Sequence, residues 1–347
     1  MRNIVISGME LCRKEISGVE RYIYEVLTRL DSYLDTEGIE SDLCIVYPKG
    51  ETLLTKNLRN IKTETIDRWD KGLGLCRYAR QHNAIIITMA PRFFPYPRQV
   101  ITLYDVRPLE PQNYDSIKYR INFSLIRAYA RLHRDIKIVT ISKFQKKRIC
   151  NLCGIPAECV YIIGVGWEHI KDIEPDYGII ERLGLTGGDY YLSVGSVMRH
   201  KNYEWLVSAA RRNPEKMFVI AGKDSIPGIG YSFEHDDVNN LILTGYITEE
   251  EKKSLILKCK SLIHPSKYEG FGIPPLEALA LDKSVMLSRA TCLPEIYGSS
   301  ADWFDPDNGG ILPESASPAD HNAVREVLEK YTWEKAAYRW LKLIKSI

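Results

Sequence analysis

Short apolar runs alternate with amphipathic stretches along nearly the whole chain, and that alternation leaves few folds open. Asn3–Gly8, Leu43–Tyr47, Ala84–Met89, Val100–Tyr104, Ile138–Ile141 and Val160–Val165 have the length and character of strands. Tyr190–Val194, Met217–Ala221, Asn240–Thr244, Ser261–His264 and Ser284–Ser288 form a second such series. Between them, stretches such as Val19–Leu30 and Tyr203–Arg211 place apolar residues at the spacing of one helix face. Thr248-Glu249-Glu250-Glu251 is a capping box that starts a helix running to Lys260. Strands that take turns with helices pair in parallel and are covered on both faces. The expected class is therefore α/β, with two Rossmann-like, doubly wound domains. A chain of 347 residues is long enough for both. The first series of strands ends near Trp167–Asp176, which divides the chain into residues 1–170, residues 171–330 and a tail, 331–347, that is helical from about Trp333.

The stretch Ser266–Ala278 carries the clearest chemistry. Leu262-Ile263 reads as a strand end, Gly270-Phe271-Gly272 as a turn, and Pro274-Pro275 as the first turn of a helix, where no amide donor is needed. The first amides of such a helix have no internal partner and suit a phosphate. Glu269 stands in the loop and Glu277 one turn into the helix. Two carboxylates around an anion cradle suit a ligand with hydroxyls on both sides of a diphosphate, which is the description of a nucleotide sugar.

The run His264–Glu277 resembles the E-x7-E segment of glycosyltransferase family 4, a retaining group with the GT-B fold. Other stretches resemble the same family in the same order. Ser17-Gly18-Val19-Glu20-Arg21 is similar to its N-terminal glycine loop, and Tyr191-Leu192-Ser193-Val194-Gly195 with Lys201-Asn202 to its lysine loop. Leu293-Pro294-Glu295 and Tyr331-Thr332-Trp333-Glu334-Lys335 are similar to its later landmarks. The resemblance implies two domains facing across a cleft, with the C-terminal helix crossing back to the N-terminal domain. It also implies sugar transfer with retention and without metal.

Roles follow for particular residues. Lys201 lies just beyond a strand and is the best cation for the leaving diphosphate; removing such a preorganised charge costs about 3–4 kcal/mol in a transition state. Many family members carry an arginine directly after the glycine or directly before the lysine. Here Ser196 and His200 stand in those places, so Arg199 is the candidate for the second positive charge and His200 reads as a loop residue. Glu277 is expected to accept from ribose hydroxyls, with Glu269 nearer the sugar or its phosphate. Gly270, Phe271, Gly272 and Ile273 would surround the donor, the last three offering backbone amides. Gly18 permits close backbone approach to phosphate or acceptor, or simply begins a helix. Asp105 ends a first-domain strand. The residue before it is Tyr104 where many family members have histidine, and a tyrosine there still donates a hydrogen bond to a sugar hydroxyl. Ser142 reads as a plain N-cap.

Composition narrows the alternatives. No apolar run approaches the ~20 residues that span a bilayer, and the apolar part of the N-terminus is too short for a signal peptide. The expectation is a cytoplasmic protein. Eight scattered cysteines read as free thiols; Cys150 and Cys153, with Cys159 nearby, lack a fourth ligand for zinc. Residues 1–170 hold 26 Lys/Arg against 19 Asp/Glu, whereas the remainder holds 21 against 26. The excess is greatest at Lys118, Arg120, Arg127, Arg131, Arg134, Lys137, Lys143, Lys146, Lys147 and Arg148, against Asp135 alone. That face suits plain solvation, contact with anionic lipid at the inner face of the cell membrane, or contact with a phosphate-bearing acceptor. No nucleic-acid-binding module accompanies it. Asp305-Pro306-Asp307 reads as a turn and Glu234-His235-Asp236-Asp237 as a solvated loop, neither as a metal site.

The sequence thus points to a hexosyltransferase using a nucleoside-diphosphate sugar, GDP-mannose or a UDP-hexose, and a glycan or lipid-linked acceptor in bacterial surface polysaccharide assembly. The alternatives are a nucleotide-sugar epimerase or phosphorylase of the same fold, and a non-catalytic partner subunit that binds nucleotide sugar or glycan.

Overall fold

A computed structural model of the chain describes residues 3–12, 17–36, 42–55, 58–112, 117–133, 136–185, 188–223, 231–235, 237–313 and 320–347. Arg134, Asp135 and Asp236 lie outside the described residues, as does the side chain of Lys118. The chain divides into two units, the first built from its N-terminal part up to Val165 and the second centred on Gly166–Tyr331.

The first unit runs β1 (Ile4–Ser7), α1 (Gly18–Thr36), β2 (Leu43–Pro48), β3 (Lys62–Ile66), α2 (Leu73–Gln81), β4 (Ile85–Thr88), β5 (Gln99–Thr102), α3 (Ile117–Leu132), β6 (Lys137–Thr140), α4 (Lys143–Cys153) and β7 (Val160–Ile162). Its strands form one parallel sheet of order β3-β2-β1-β4-β5-β6-β7. The central strands Ile-Val-Ile-Ser and Ile-Ile-Ile-Thr are buried throughout. That is why they appear in the sequence as unbroken apolar runs rather than as alternation.

The second unit contains α5 (His169–Asp172), α6 (Gly178–Arg182), β8 (Tyr190–Val194), α7 (Tyr203–Arg212), β9 (Met217–Ala221), β10 (Leu241–Leu243) and α8 (Glu249–Lys258). It continues with β11 (Ser261–His264), α9 (Ile273–Ala280), β12 (Ser284–Ser288), α10 (Leu293–Tyr297), β13 (Asp302–Phe304) and α11 (His321–Lys330). The sheet is again parallel, of order β10-β9-β8-β11-β12-β13. Thr248 closes the expected capping box with Glu251 at the start of α8, and Ser142 caps α4 by accepting from the Gln145 amide at 3.2 Å.

The last helix, α12 (Trp333–Lys345), belongs to the first unit. Thr332 caps it, accepting from the Lys335 amide at 3.1 Å. Trp333 and Trp340 are fully buried. The Trp340 indole N–H donates to the Tyr22 hydroxyl on α1 at 2.8 Å, and Trp333 meets the Tyr22 ring edge-on at 5.8 Å. Arg339 donates to the Ile163 carbonyl at 2.6 Å. A buried indole keeps its polar edge only where a partner waits, so the Tyr22 hydroxyl fixes the rotation of α12 on α1.

Two strands differ from expectation. β3, Lys-Thr-Glu-Thr-Ile, is an exposed edge strand with one large apolar residue. β13 is a three-residue edge. Edge strands need little apolar surface, so neither leaves a hydrophobic run to read. All eight cysteines are free. Among the described residues no helix is long and apolar enough to cross a membrane. Trp340→Ala should destabilise the first unit by about 3–5 kcal/mol, the usual cost of emptying a buried tryptophan site. Urea unfolding followed by tryptophan fluorescence checks it.

Candidate functional site

Strands β8 and β11 are neighbours, paired through Ser261 with Tyr191 and Leu262 with Leu192. From β8 the sheet continues to β9 on one side and β11 on the other, so the strand order reverses between them. Loops leaving the carboxyl ends of two such strands diverge and open a crevice where ligands bind in open α/β sheets. Lys201 follows β8 and Glu269 follows β11. Their side chains meet there, with Lys201 Nζ 2.7 Å from Glu269 Oε1.

Backbone and side-chain ties hold the two loops together. The Lys267 amide donates to the His200 carbonyl at 2.8 Å. Asn202 Nδ2 donates to the Pro265 carbonyl at 3.1 Å and to the Pro306 carbonyl at 3.0 Å. Gly195 follows β8 at φ +150°, and a Cβ there would lie 3.4 Å from Lys201 Cε and 3.1 Å from the Tyr203 hydroxyl. The absent side chain lets the lysine fold back over the strand end.

Glu269 Oε1 has a second partner, His264 Nε2, at 2.8 Å. Burial alone would push the Glu269 carboxyl up, but the Lys201 ammonium, and after it His264, hold it well below the usual carboxylate range. Burial lowers His264, against the pull of Glu269. At neutral pH His264 is therefore an uncharged imidazole donating to the carboxylate, and the cluster holds one cation and one anion. The Glu269 amide donates to Thr291 Oγ1 at 3.1 Å, fixing the loop beneath.

Past Glu269 the chain turns at Gly272, whose φ is +90° and whose Cβ would meet Leu293 Cδ2 at 2.9 Å. Helix α9 then begins with Ile273-Pro274-Pro275. The prolines remove two of the four amides a helix start usually exposes. The donors at this end come instead from the turn: among the described residues, the Phe271, Gly272 and Ile273 amides make no hydrogen bond to the chain. Phe271 is buried edge-on against Tyr331, with ring centroids 5.0 Å apart. Gly270 is buried between Glu269 and this turn.

Glu277, on α9, has its own cation. Its Oε1 lies 2.8 Å from Lys252 Nζ and 2.8 Å from His169 Nε2, while its buried Oε2 has no partner among the described residues. Burial would raise this carboxyl; Lys252 and the His169 hydrogen bond hold it low. His169, Glu249 and Glu277 bring three ligand atoms within 4.8 Å of one another. Lys252 already meets both carboxylates, at 2.8 Å and 3.0 Å. An ammonium thus stands where a divalent ion would have to bind.

The other expected residues lie as follows. Ser196 is half-buried just after β8, and Arg199 is exposed, 6.0 Å from the Tyr231 ring centroid. Gly18, Tyr104 and Asp105 belong to the first unit. Gly18 is exposed as the first residue of α1. Tyr104 donates its hydroxyl hydrogen to the Met89 carbonyl, which leaves its oxygen only as an acceptor. Asp105 accepts from the Arg107 amide at 3.1 Å. Asp307 pairs with Lys267 at 2.6 Å in a turn closed by the Asp305 carboxylate, and Asp237 pairs with Arg211. Sequence reasoning assigned no role to His264, His169 or Lys252. The position of His264 at the carboxyl end of a strand was a usable signal. Nothing local marks Lys252, which reaches Glu277 from another helix.

Residues 179–340 match the family model for glycosyl transferases group 1. The structure superimposes over its full length on a sucrose-phosphate synthase from Thermosynechococcus elongatus at 14% identity, covering 99% of that chain, with a TM-score of 0.73. It also superimposes on Anabaena HepE in complex with UDP-glucose at 14% identity, covering 100% of both chains, with a TM-score of 0.73.

The fold is GT-B.

Within the GT-B proteins, the chain is 26% identical over 219 residues to the serotype-specific mannosyltransferase WbdA of Escherichia coli, covering 59% of this chain. It spans only about a quarter (24%) of that relative's length. It is 25% identical to the O-antigen chain mannosyltransferase B of Escherichia coli, covering 72% of this chain and 71% of the relative.

Glu277→Gln should lower stability by about 3 kcal/mol, the low end for breaking a buried ion pair because Glu249 still holds Lys252. Glu269 and Glu277 titrate lower folded than the ~4.3 of an unfolded glutamate, so the unfolded state binds more protons in acid. Their stabilisation is complete above that value and is lost as pH falls through the folded values. Urea titrations between pH 7 and pH 3 (about one unit below the unfolded value) should show this acid loss, and Glu277→Gln should flatten it.

Proposed function

We propose that the chain transfers a hexose, mannose being the first candidate, from a nucleoside diphosphate to a hydroxyl of a glycan or lipid-linked acceptor, with retention at the anomeric carbon. The carrying observation is Lys201, 2.7 Å from Glu269 at the reversal of strand order, together with the three unpartnered amides of Phe271–Ile273 in the turn that follows Glu269. A diphosphate supplies the oxygens those amides lack and the negative charge that Lys201 meets. The unpartnered Oε2 of Glu277 suits a ribose hydroxyl, a bond to a charged acceptor of about 1.5–3 kcal/mol. Arg199, Ser196 and Gly270 flank the same loops and complete the donor side. Gly18, Tyr104 and Asp105 are the acceptor-side and sugar-side candidates of the first unit.

Chemically, the bond between the anomeric carbon and the phosphate oxygen breaks as the bond to the acceptor oxygen forms on the same face. The acceptor proton passes to the departing phosphate oxygen, whose charge Lys201 and the amides hold. Glu269, kept ionised by Lys201 and His264, orients hydroxyls of the sugar. The mannosyltransferase names of two relatives favour mannose, and the UDP-glucose bound by HepE supports a nucleotide sugar as donor. Bacterial surface polysaccharide assembly is the setting those relatives suggest, with the basic first unit resting on the inner face of the membrane.

A thermal-shift panel of GDP, UDP, ADP and their sugars tests donor binding. The true donor at about 100 times its Kd should add about 2.7 kcal/mol of stability. With that donor, Lys201→Ala should cost about 10²–10³-fold in kcat. Donor turnover without any acceptor would instead indicate an epimerase, and undiminished cellular function in Lys201→Ala a non-catalytic partner.

A further inference from the structure

Five of the ten large apolar side chains that the described structure leaves strongly exposed lie on one helix, α3. Ile117 is 75% exposed, Ile121 57%, Leu125 50% and Leu132 80%. At about 100° per residue these four fall within about 80° of arc, a stripe running the length of the helix. The opposite side of α3 is apolar as well, and there Phe123, Ile126 and Ala130 are buried in the core with Ile101, Leu103 and Ile138. One face therefore explains the folding of the helix, and the stripe is left over. Ile117, Ile121 and Leu125 line a shallow depression on the outer face together with Arg120 and Ser124.

Charge decides what covers the stripe. Arg120, Arg127 and Arg131 lie along one flank, and Ile117–Leu132 contains no acidic residue. An apolar stripe with an arginine flank and no acidic neighbour on its helix matches the boundary between acyl chains and anionic headgroups. A second copy of the helix would instead set like charges against each other.

We propose that α3 is an interfacial helix that lies in the surface of an anionic bilayer, with its isoleucines and leucines below the headgroups and its arginines at the lipid phosphates. This deepens the lipid-linked acceptor of the proposed function and rests on that reading for its purpose. The docking itself depends only on the helix.

The full chain should sediment with phosphatidylcholine vesicles that contain phosphatidylglycerol and not with phosphatidylcholine alone, and added salt should weaken the binding. The double substitution Ile121→Ser, Leu125→Ser should reduce partitioning at least about tenfold while melting temperature and donor-induced thermal shifts stay unchanged. Arg131→Glu should reduce it on anionic vesicles as well. Equal partitioning of the double variant and the parent would overturn the proposal. So would a parent chain that ignores anionic vesicles, or one that dimerises through the stripe by sedimentation velocity without binding them. A chain that binds vesicles but shows no thermal shift with any nucleotide sugar would leave the docking intact and defeat the transferase reading instead.

Discussion

The Lys201–Glu269 ion pair is the constraint around which the second unit is arranged. Its partners come from loops 68 residues apart in sequence, so it forms only if β8 and β11 lie side by side and both loops leave at the same end. Parallel pairing supplies that geometry, and the Asn202 and Lys267 hydrogen bonds then lock one loop to the other. The pair is largely shielded, with side chains 17% and 11% exposed. A shielded ion pair gives little net stability once desolvation is counted. Its persistence at the strand-order reversal therefore fits a charge kept ready for a ligand better than a device for holding the sheet together.

Two carboxylates in this unit each have an ammonium of their own, Lys201 for Glu269 and Lys252 for Glu277. Each also has a histidine, at 2.8 Å in both cases. The repetition has a simple electrostatic result. Neither carboxylate can pick up a proton near neutrality, and neither adds net repulsion against an incoming anion. An unpaired Glu269 would sit beside the turn amides and oppose a diphosphate; with Lys201 beside it, the negative charge is cancelled.

Much of this was legible in the sequence because parallel sheets bury both faces. Runs such as Ile4–Ser7, Ile85–Thr88 and Leu262-Ile263 announce strands without any need for alternation, and Thr248 and Thr332 announce helix starts. The edges β3 and β13 were not legible, since an edge strand takes its bonds from one neighbour and can be polar or very short. In the site, Lys201, Glu269 and Glu277 stood out because each lies in or next to a loop that leaves a strand, where Gly and Pro mark the turn. His169 and Lys252 did not: they come from α5 and α8 and reach Glu277 only through tertiary packing. The anion donors also shifted. Pro274 and Pro275 are good signals for a helix start, but they remove the very amides that a helix start was expected to provide. The donor set falls back on Phe271, Gly272 and Ile273.

That shift changes how an anion would be held. Helix-end amides are parallel and act with the helix dipole, and α9 has only eight residues, two of its first three being proline. Turn amides act differently: successive N–H groups around a residue at positive φ can point toward a common centre and form an anion-binding nest. Gly272, at φ +90°, is that residue here. A side chain at this position would meet Leu293 Cδ2 at 2.9 Å, and its backbone would disfavour the positive φ. In the proposed reading, charge stabilisation would thus come from a glycine turn held by Leu293 and by the Tyr297 hydroxyl donating to the Gly272 carbonyl, together with Lys201, rather than from the helix that follows it.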